Sequence, residues 1–207
     1  MMRPMRGFLV IAALLALSPP VLAQEEGTAG QDAPPLPGAA PAEEVLKPAE
    51  RRAEQLDILF ARLRGAGAMS PALEQKIWEL WSASDSPTAE VLLQQAGRAI
   101  AAGAPAEALS ILDRLTGAYP GFAEAWNKRA TLYYMMKRDE QALKDIEKVL
   151  DLEPRHFGAL AGKGMILQRQ KKYSAARAAF EEALAMNPNL EQVKAAIKEL
   201  DRLEQGI

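Results

Sequence analysis

The sequence contains one histidine, His156, and no cysteine. The side chains most often used for nucleophilic, acid–base and metal chemistry are therefore scarce. His156 stands alone between Arg155 and Phe157 with no visible partner set, and it reads as a loop or interface histidine. No nucleophile motif, metal-ligand spacing or phosphate-cradling glycine loop occurs. Gly162 and Gly164 fit close helix packing instead. The missing thiol excludes disulfides, thiolate ligands and a lipid-modified N-terminal cysteine together. Asp and Glu number 27, too many and too scattered to single out a catalytic pair. The expectation is a chain that is not an enzyme and holds no cofactor and no metal.

What remains is contact chemistry. In AWNKRATLYYMMKRDE, Tyr133, Tyr134, Met135 and Met136 stand in a row on a segment with helical spacing. Trp126, Ala130 and Tyr133 form one stripe. Asn127, Thr131, Tyr134 and Met135 lie about 100° further round, because each residue of a helix advances by that angle. One face cannot bury both sets, so the second set is a candidate contact surface.

The elements that position these residues follow from periodicity. In AERRAEQLDILFARLRGAG, Leu56, Leu59, Phe60 and Leu63 trace an amphipathic helix, stopped by Gly65 and Gly67. A second helix opens at Ser70-Pro71, with Leu73, Ile77, Leu80 and Trp81 as its stripe. A third opens at Ser86-Pro87. A shift of 34 residues then superimposes Pro120, Pro154 and Pro188; Ala108, Ala142 and Ala176; Leu112, Ile146 and Phe180; and the small residues Ala96, Ala130 and Gly164. Each proline ends a helix, and the small residues let paired helices approach closely. The last segment, LEQVKAAIKELDRLE, has Val193, Ile197 and Leu200 on one side and charges elsewhere.

A 34-residue period of helix, turn, helix resembles the tetratricopeptide repeat (TPR). The resemblance covers residues 89–122, 123–156 and 157–190. The middle repeat matches at Trp126, Ala130, Tyr133, Ala142, Ile146, Val149 and Pro154. It implies an all-α, right-handed solenoid of about three antiparallel helix pairs. An N-terminal hairpin over 49–88 precedes it and a capping helix over 191–207 follows. The hairpin is similar to a segment of uncharacterised alphaproteobacterial members. Trp78 and Trp81 are read as core residues covering the first repeat, with a binding patch as the alternative.

The family likeness further implies that the second face of each first helix lines a concave groove. Its candidates here are Leu93, Ile100, Asn127, Thr131, Tyr134, Met135, Met165 and Arg169, a set suited to a peptide or an amphipathic helix. Family members that clamp a C-terminal carboxylate use lysine, asparagine and arginine at positions that here hold Leu93, Gly97, Lys128, Gly158 and Gly162. Only Lys128 is basic, which argues against that mode. The basic turn QRQKKY, with Arg169, Lys171 and Lys172, is read as a polar turn, with an acidic partner or lipid headgroups as alternatives.

The N-terminus carries an address. Arg3 and Arg6 precede the apolar run GFLVIAALLAL, and Val21 and Ala23 stand three and one before a break at Gln24. This pattern predicts a secretory signal peptide over 1–23, since the run is far short of the ~20 residues of a membrane span. Removal of Arg3 and Arg6 would leave 23 basic residues against 27 acidic ones, a net charge of −4. Residues 24–48, rich in Pro, Ala and Glu, read as a flexible linker. A pI near 5.6 gives no basic field for nucleic acid. The expectation is an exported, periplasmic interaction scaffold or adaptor with a protein or peptide partner. The alternative is a structural TPR protein whose groove is filled by a second copy or by residues 24–48. By family analogy, an accessory subunit of an envelope assembly or cytochrome maturation complex is a further alternative.

Overall fold

The computed structural model describes residues 46–205. The expected signal peptide and nearly all of the expected linker lie outside the described residues. Among the described residues nine α-helices follow one another, with a single 3-10 turn after the first: α1 Pro48–Leu63, α2 Ser70–Ser82, α3 Pro87–Ala101, α4 Pro105–Ala118, α5 Ala123–Met135, α6 Asp139–Leu152, α7 Phe157–Arg169, α8 Tyr173–Met186 and α9 Glu191–Gln205. No strand occurs among the described residues.

The helix starts follow local chemistry. Pro48, Pro87 and Pro105 stand at first helical positions, where a missing N–H removes nothing the helix uses. Ser86 caps α3 by accepting from the Ala89 N–H at 3.4 Å. At α2 the cap differs from the sequence expectation. Ser70 is itself helical and its hydroxyl donates to Glu74 at 2.5 Å, while Met69 holds the cap position.

Helices α3–α4, α5–α6 and α7–α8 are antiparallel pairs, and each packs on the next. Their interior repeats the 34-residue register. Leu112, Ile146 and Phe180 are buried, as are Ala96 and Ala130 opposite the first two. In the third pair the large Phe180 ring needs more room, and Gly164 supplies it. A Cβ on Gly164 would stand 2.4 Å from that ring. The turn inside each pair places one residue in the left-handed region: Gly103 at φ 70, Lys137 at φ 59 and Lys171 at φ 60.

A buried polar brace joins the pairs. Arg129 of α5 grips Asp145 of α6 through two hydrogen bonds of 2.7 and 2.8 Å, and reaches Asp113 and Thr116 of α4. Hydrogen bonding to Asp145 outweighs burial and holds the guanidinium pKa above its ordinary value, so the charge is permanent. Helix α9 covers the end of the stack, with Val193 and Leu200 buried and Ile197 half-buried against the Phe180 cluster.

The hairpin α1–α2 departs from the sequence expectation. Its tryptophans do not cover the first repeat. Phe60, Leu63, Ile77 and Trp81 instead form one core with Phe157, at the start of α7, flanked by Met186 and Leu190. Buried side chains of this size stabilise the docking by about 2 kcal/mol each relative to exposure, with aromatic pair geometry adding to it. Polar contacts fix the register. Arg155 pairs with Asp57 at 2.5 Å and Arg52 with Asp85 at 2.8 Å. Asn189 donates to the Leu63 carbonyl at 3.0 Å, satisfying a free acceptor at the end of α1.

Candidate interaction site

The first helices of the three pairs, α3, α5 and α7, touch one another directly and form the inner face of the stack. The N-terminal ends of α5 and α7 are covered. Trp78 lies over Gly158, where a Cβ would stand 2.6 Å from the indole; only a glycine admits this approach. Beside it, Trp81 stacks on His156, with ring centroids 4.0 Å apart and planes within 10°.

His156 is fully buried. Its Nδ1 accepts from the Ala159 N–H at 3.1 Å, so the proton sits on Nε2 and is donated to Glu124 Oε2 at 3.3 Å. That oxygen also accepts from Asn127 Nδ2 at 2.9 Å, and Lys128 Nζ lies 3.5 Å from Oε1. A histidine beside a carboxylate can move protons, but this pair is sealed beneath two indoles with its hydrogen bonds committed. It caps α7 and braces the hairpin seat. No metal-competent group of three or more His, Asp or Glu side chains occurs among the described residues.

The C-terminal ends of the same helices remain open. Met135 is 60% exposed and Met165 44%, with Thr131 and Arg169 exposed and Tyr134 half-buried. Arg169 lies over the Tyr134 ring at 4.0 Å, donates to the Tyr134 carbonyl and pairs with Asp139. Ile100 is half-buried and lines a cleft with Gly103, Pro105, Leu132, Met135 and Met136.

The eight sequence candidates therefore divide. Thr131, Met135, Met165 and Arg169 lie open, with Ile100 and Tyr134 partly so. Leu93, 5% exposed, belongs to the core of the first pair, and Asn127, 8% exposed, is shut in with Glu124. Sequence reasoning missed Glu124, His156 and Trp78 as members of one seat. The available signal was Gly158, a residue without a side chain where the inner face of α7 begins.

A stack of antiparallel helix pairs with a continuous inner face, part covered and part open, defines a helical-repeat solenoid. Models of the tetratricopeptide repeat match residues 123–156 and 157–190. A TPR repeat-containing protein of Rhizobium etli is 36% identical over 137 residues, covering 65% of this chain and 67% of that protein. The chain belongs to the tetratricopeptide-repeat family. DnaJ homolog subfamily C member 3 of Bos taurus is 29% identical over 113 residues, which is 55% of this chain but 22% of that protein. Among solved structures, the first TPR of Spaghetti (RPAP3), bound to the HSP90 peptide SRMEEVD, superimposes with a TM-score of 0.56 at 21% identity. That match covers 58% of this chain and 96% of the other, and shows the fold.

Proposed function

We propose that the protein is a non-enzymatic interaction scaffold of the bacterial cell envelope. It holds a peptide or an amphipathic helix of another exported protein on the open half of its inner face. The observation that carries this reading is the exposure of Met135 and Met165, next to Tyr134, on adjacent helices of a braced stack. Flexible thioethers suit an adaptable site, and neighbouring exposed apolar groups mark contact surfaces more than isolated ones do. The N-terminal pattern over 1–23 supports export. Leu93, Gly97, Lys128, Gly158 and Gly162 make a poor carboxylate clamp, so the client is read through its side chains.

Crosslinking and capture from an envelope fraction tests the reading, using the chain from Gln24 and a Tyr134→Glu, Met135→Glu variant. A protein enriched by the parent and lost from the variant is the expected result. Equal recovery from both moves binding off this face. A parent that sediments as a concentration-dependent dimer, with no other protein recovered, would make a second copy the occupant.

A further inference from the structure

The turns inside the second and third pairs break two local rules in the same way. Lys137 and Lys171 occupy the left-handed backbone region at φ 59 and φ 60, where the first pair has Gly103. That conformation is free for glycine and strained for lysine. Each is followed by another cation, Arg138 or Lys172, at the N-cap of the next helix. An acceptor side chain is favoured there and a positive charge opposes the helix dipole. None of the four forms an ion pair or a side-chain hydrogen bond with the described residues. Asp139, the acid beside them, is committed to Arg169. The segments 135–142 and 168–176 hold five cations, Lys137, Arg138, Arg169, Lys171 and Lys172, against two acids, Asp139 and Glu140, on a chain whose net charge is −2.

An apolar anchor site adjoins this rim. The cleft at the turn edge of the first two pairs, about 270 Å³, is lined by Ile100, Gly103, Pro105, Leu132, Met135 and Met136. Lys137 and Arg138 follow directly in the chain. Successive helix pairs are spaced about 10 Å apart, so the two cationic turns stand within reach of one short extended segment.

We infer that this edge is a docking site for an acidic segment with a large apolar anchor, whose side chain fills the cleft while its carboxylates run along Lys137, Arg138, Lys171 and Lys172. The inference rests on the interaction reading above and names the chemistry of the client. Charge complementarity favours an acidic peptide, and the concave cleft favours a protruding side chain over a flat lipid surface. The site lies past the C-terminal ends of α5 and α7, whereas the clamp positions Lys128, Gly158 and Gly162 lie in their first halves.

The test uses fluorescein-labelled peptides in which Leu-Phe is followed by four glutamates or by four glutamines. The parent is expected to bind the glutamate peptide at least ~10-fold more tightly at low salt, with the advantage shrinking as salt rises. Lys137→Gly, Lys171→Gly, which leaves Arg138 and Lys172 in place, should shrink that advantage several-fold while melting no lower than the parent, because glycine relieves both turns. Met135→Glu should weaken both peptides. Equal affinity for the two peptides, or an advantage undiminished in the glycine variant, overturns the inference, as does failure of the glutamate peptide to bind. Saturable binding to phosphatidylserine vesicles in place of the peptide would assign the rim to lipid and also overturn it. The groove reading fails separately, when capture is indifferent to Tyr134→Glu, Met135→Glu.

Discussion

Gly164 and Phe180 exchange volume across the third helix pair. The 34-residue register puts a glycine where the other repeats have Ala96 and Ala130, and a phenylalanine where they have Leu112 and Ile146. The two deviations compensate for each other, since the ring fills the space the glycine leaves. Gly164→Ala should therefore destabilise the fold by about 2 kcal/mol, an overpacking cost. Gly97 sits in α3 with nothing near its would-be Cβ, and Gly97→Ala should stabilise by about 0.5–1 kcal/mol. Urea denaturation of both variants checks the pair of signs. Two losses, or two gains, would contradict the packing account. The exchange of volume is legible in the repeat register, because both partners occupy aligned positions. Other residues gave no such signal. Arg129 and Asp145 are ordinary members of a charged sequence until the fold brings them together, and nothing distinguishes Glu124 from its neighbours.

The hairpin α1–α2 marks what an element's sequence leaves out. Its helices and stripes were legible from spacing, because spacing reports which side is buried. What that side is buried against depends on the path of residues 83–86, which spacing does not report. Docked, the hairpin covers the near half of the inner face and decides which candidates remain accessible. Its anchorage includes Glu153, whose side chain accepts from the Trp81 indole at 3.5 Å and from the Arg155 guanidinium at 2.9 Å. Burial alone would raise the Glu153 pKa, but the hydrogen bonds and charge of Arg155 outweigh it and hold the group below its ordinary 4.5. The unfolded or undocked form then binds the proton more readily, so this contribution is complete above about pH 4.5 and is lost as pH falls through the lowered native value. In a Trp126→Phe background the two remaining tryptophans, Trp78 and Trp81, report the hairpin alone. Their emission should stay constant from pH 7 to about 5 and shift to the red in stronger acid, and Glu153→Gln should flatten that transition. A red shift already complete near pH 6 would contradict the assignment of the seat to Glu153.

At the scale of the molecule, a short solenoid depends on its ends, since an inner pair has two neighbours and a terminal pair one. Helix α9 seals Phe180 with Val193 and Leu200. Deletion of residues 190–207 should expose Phe180 and Ala183, lower the melting temperature and reduce solubility; a truncated chain that melts with the parent would show that α9 is no cap. The class of the fold was legible because periodicity is repeated three times along the chain. The division of the inner face was not, because it arises from contacts between distant parts of the sequence, such as Trp78 on Gly158. The near half is filled by the chain's own hairpin, and the far half is exposed. Photocrosslinking in the native host tests that division most directly, with benzoylphenylalanine introduced at Met165 on the far half and, separately, at Ile58 on the exposed side of the hairpin. A discrete client adduct is predicted from position 165 and none from position 58. Adducts from position 58 with none from 165 would contradict the division and move recognition to the hairpin's outer surface.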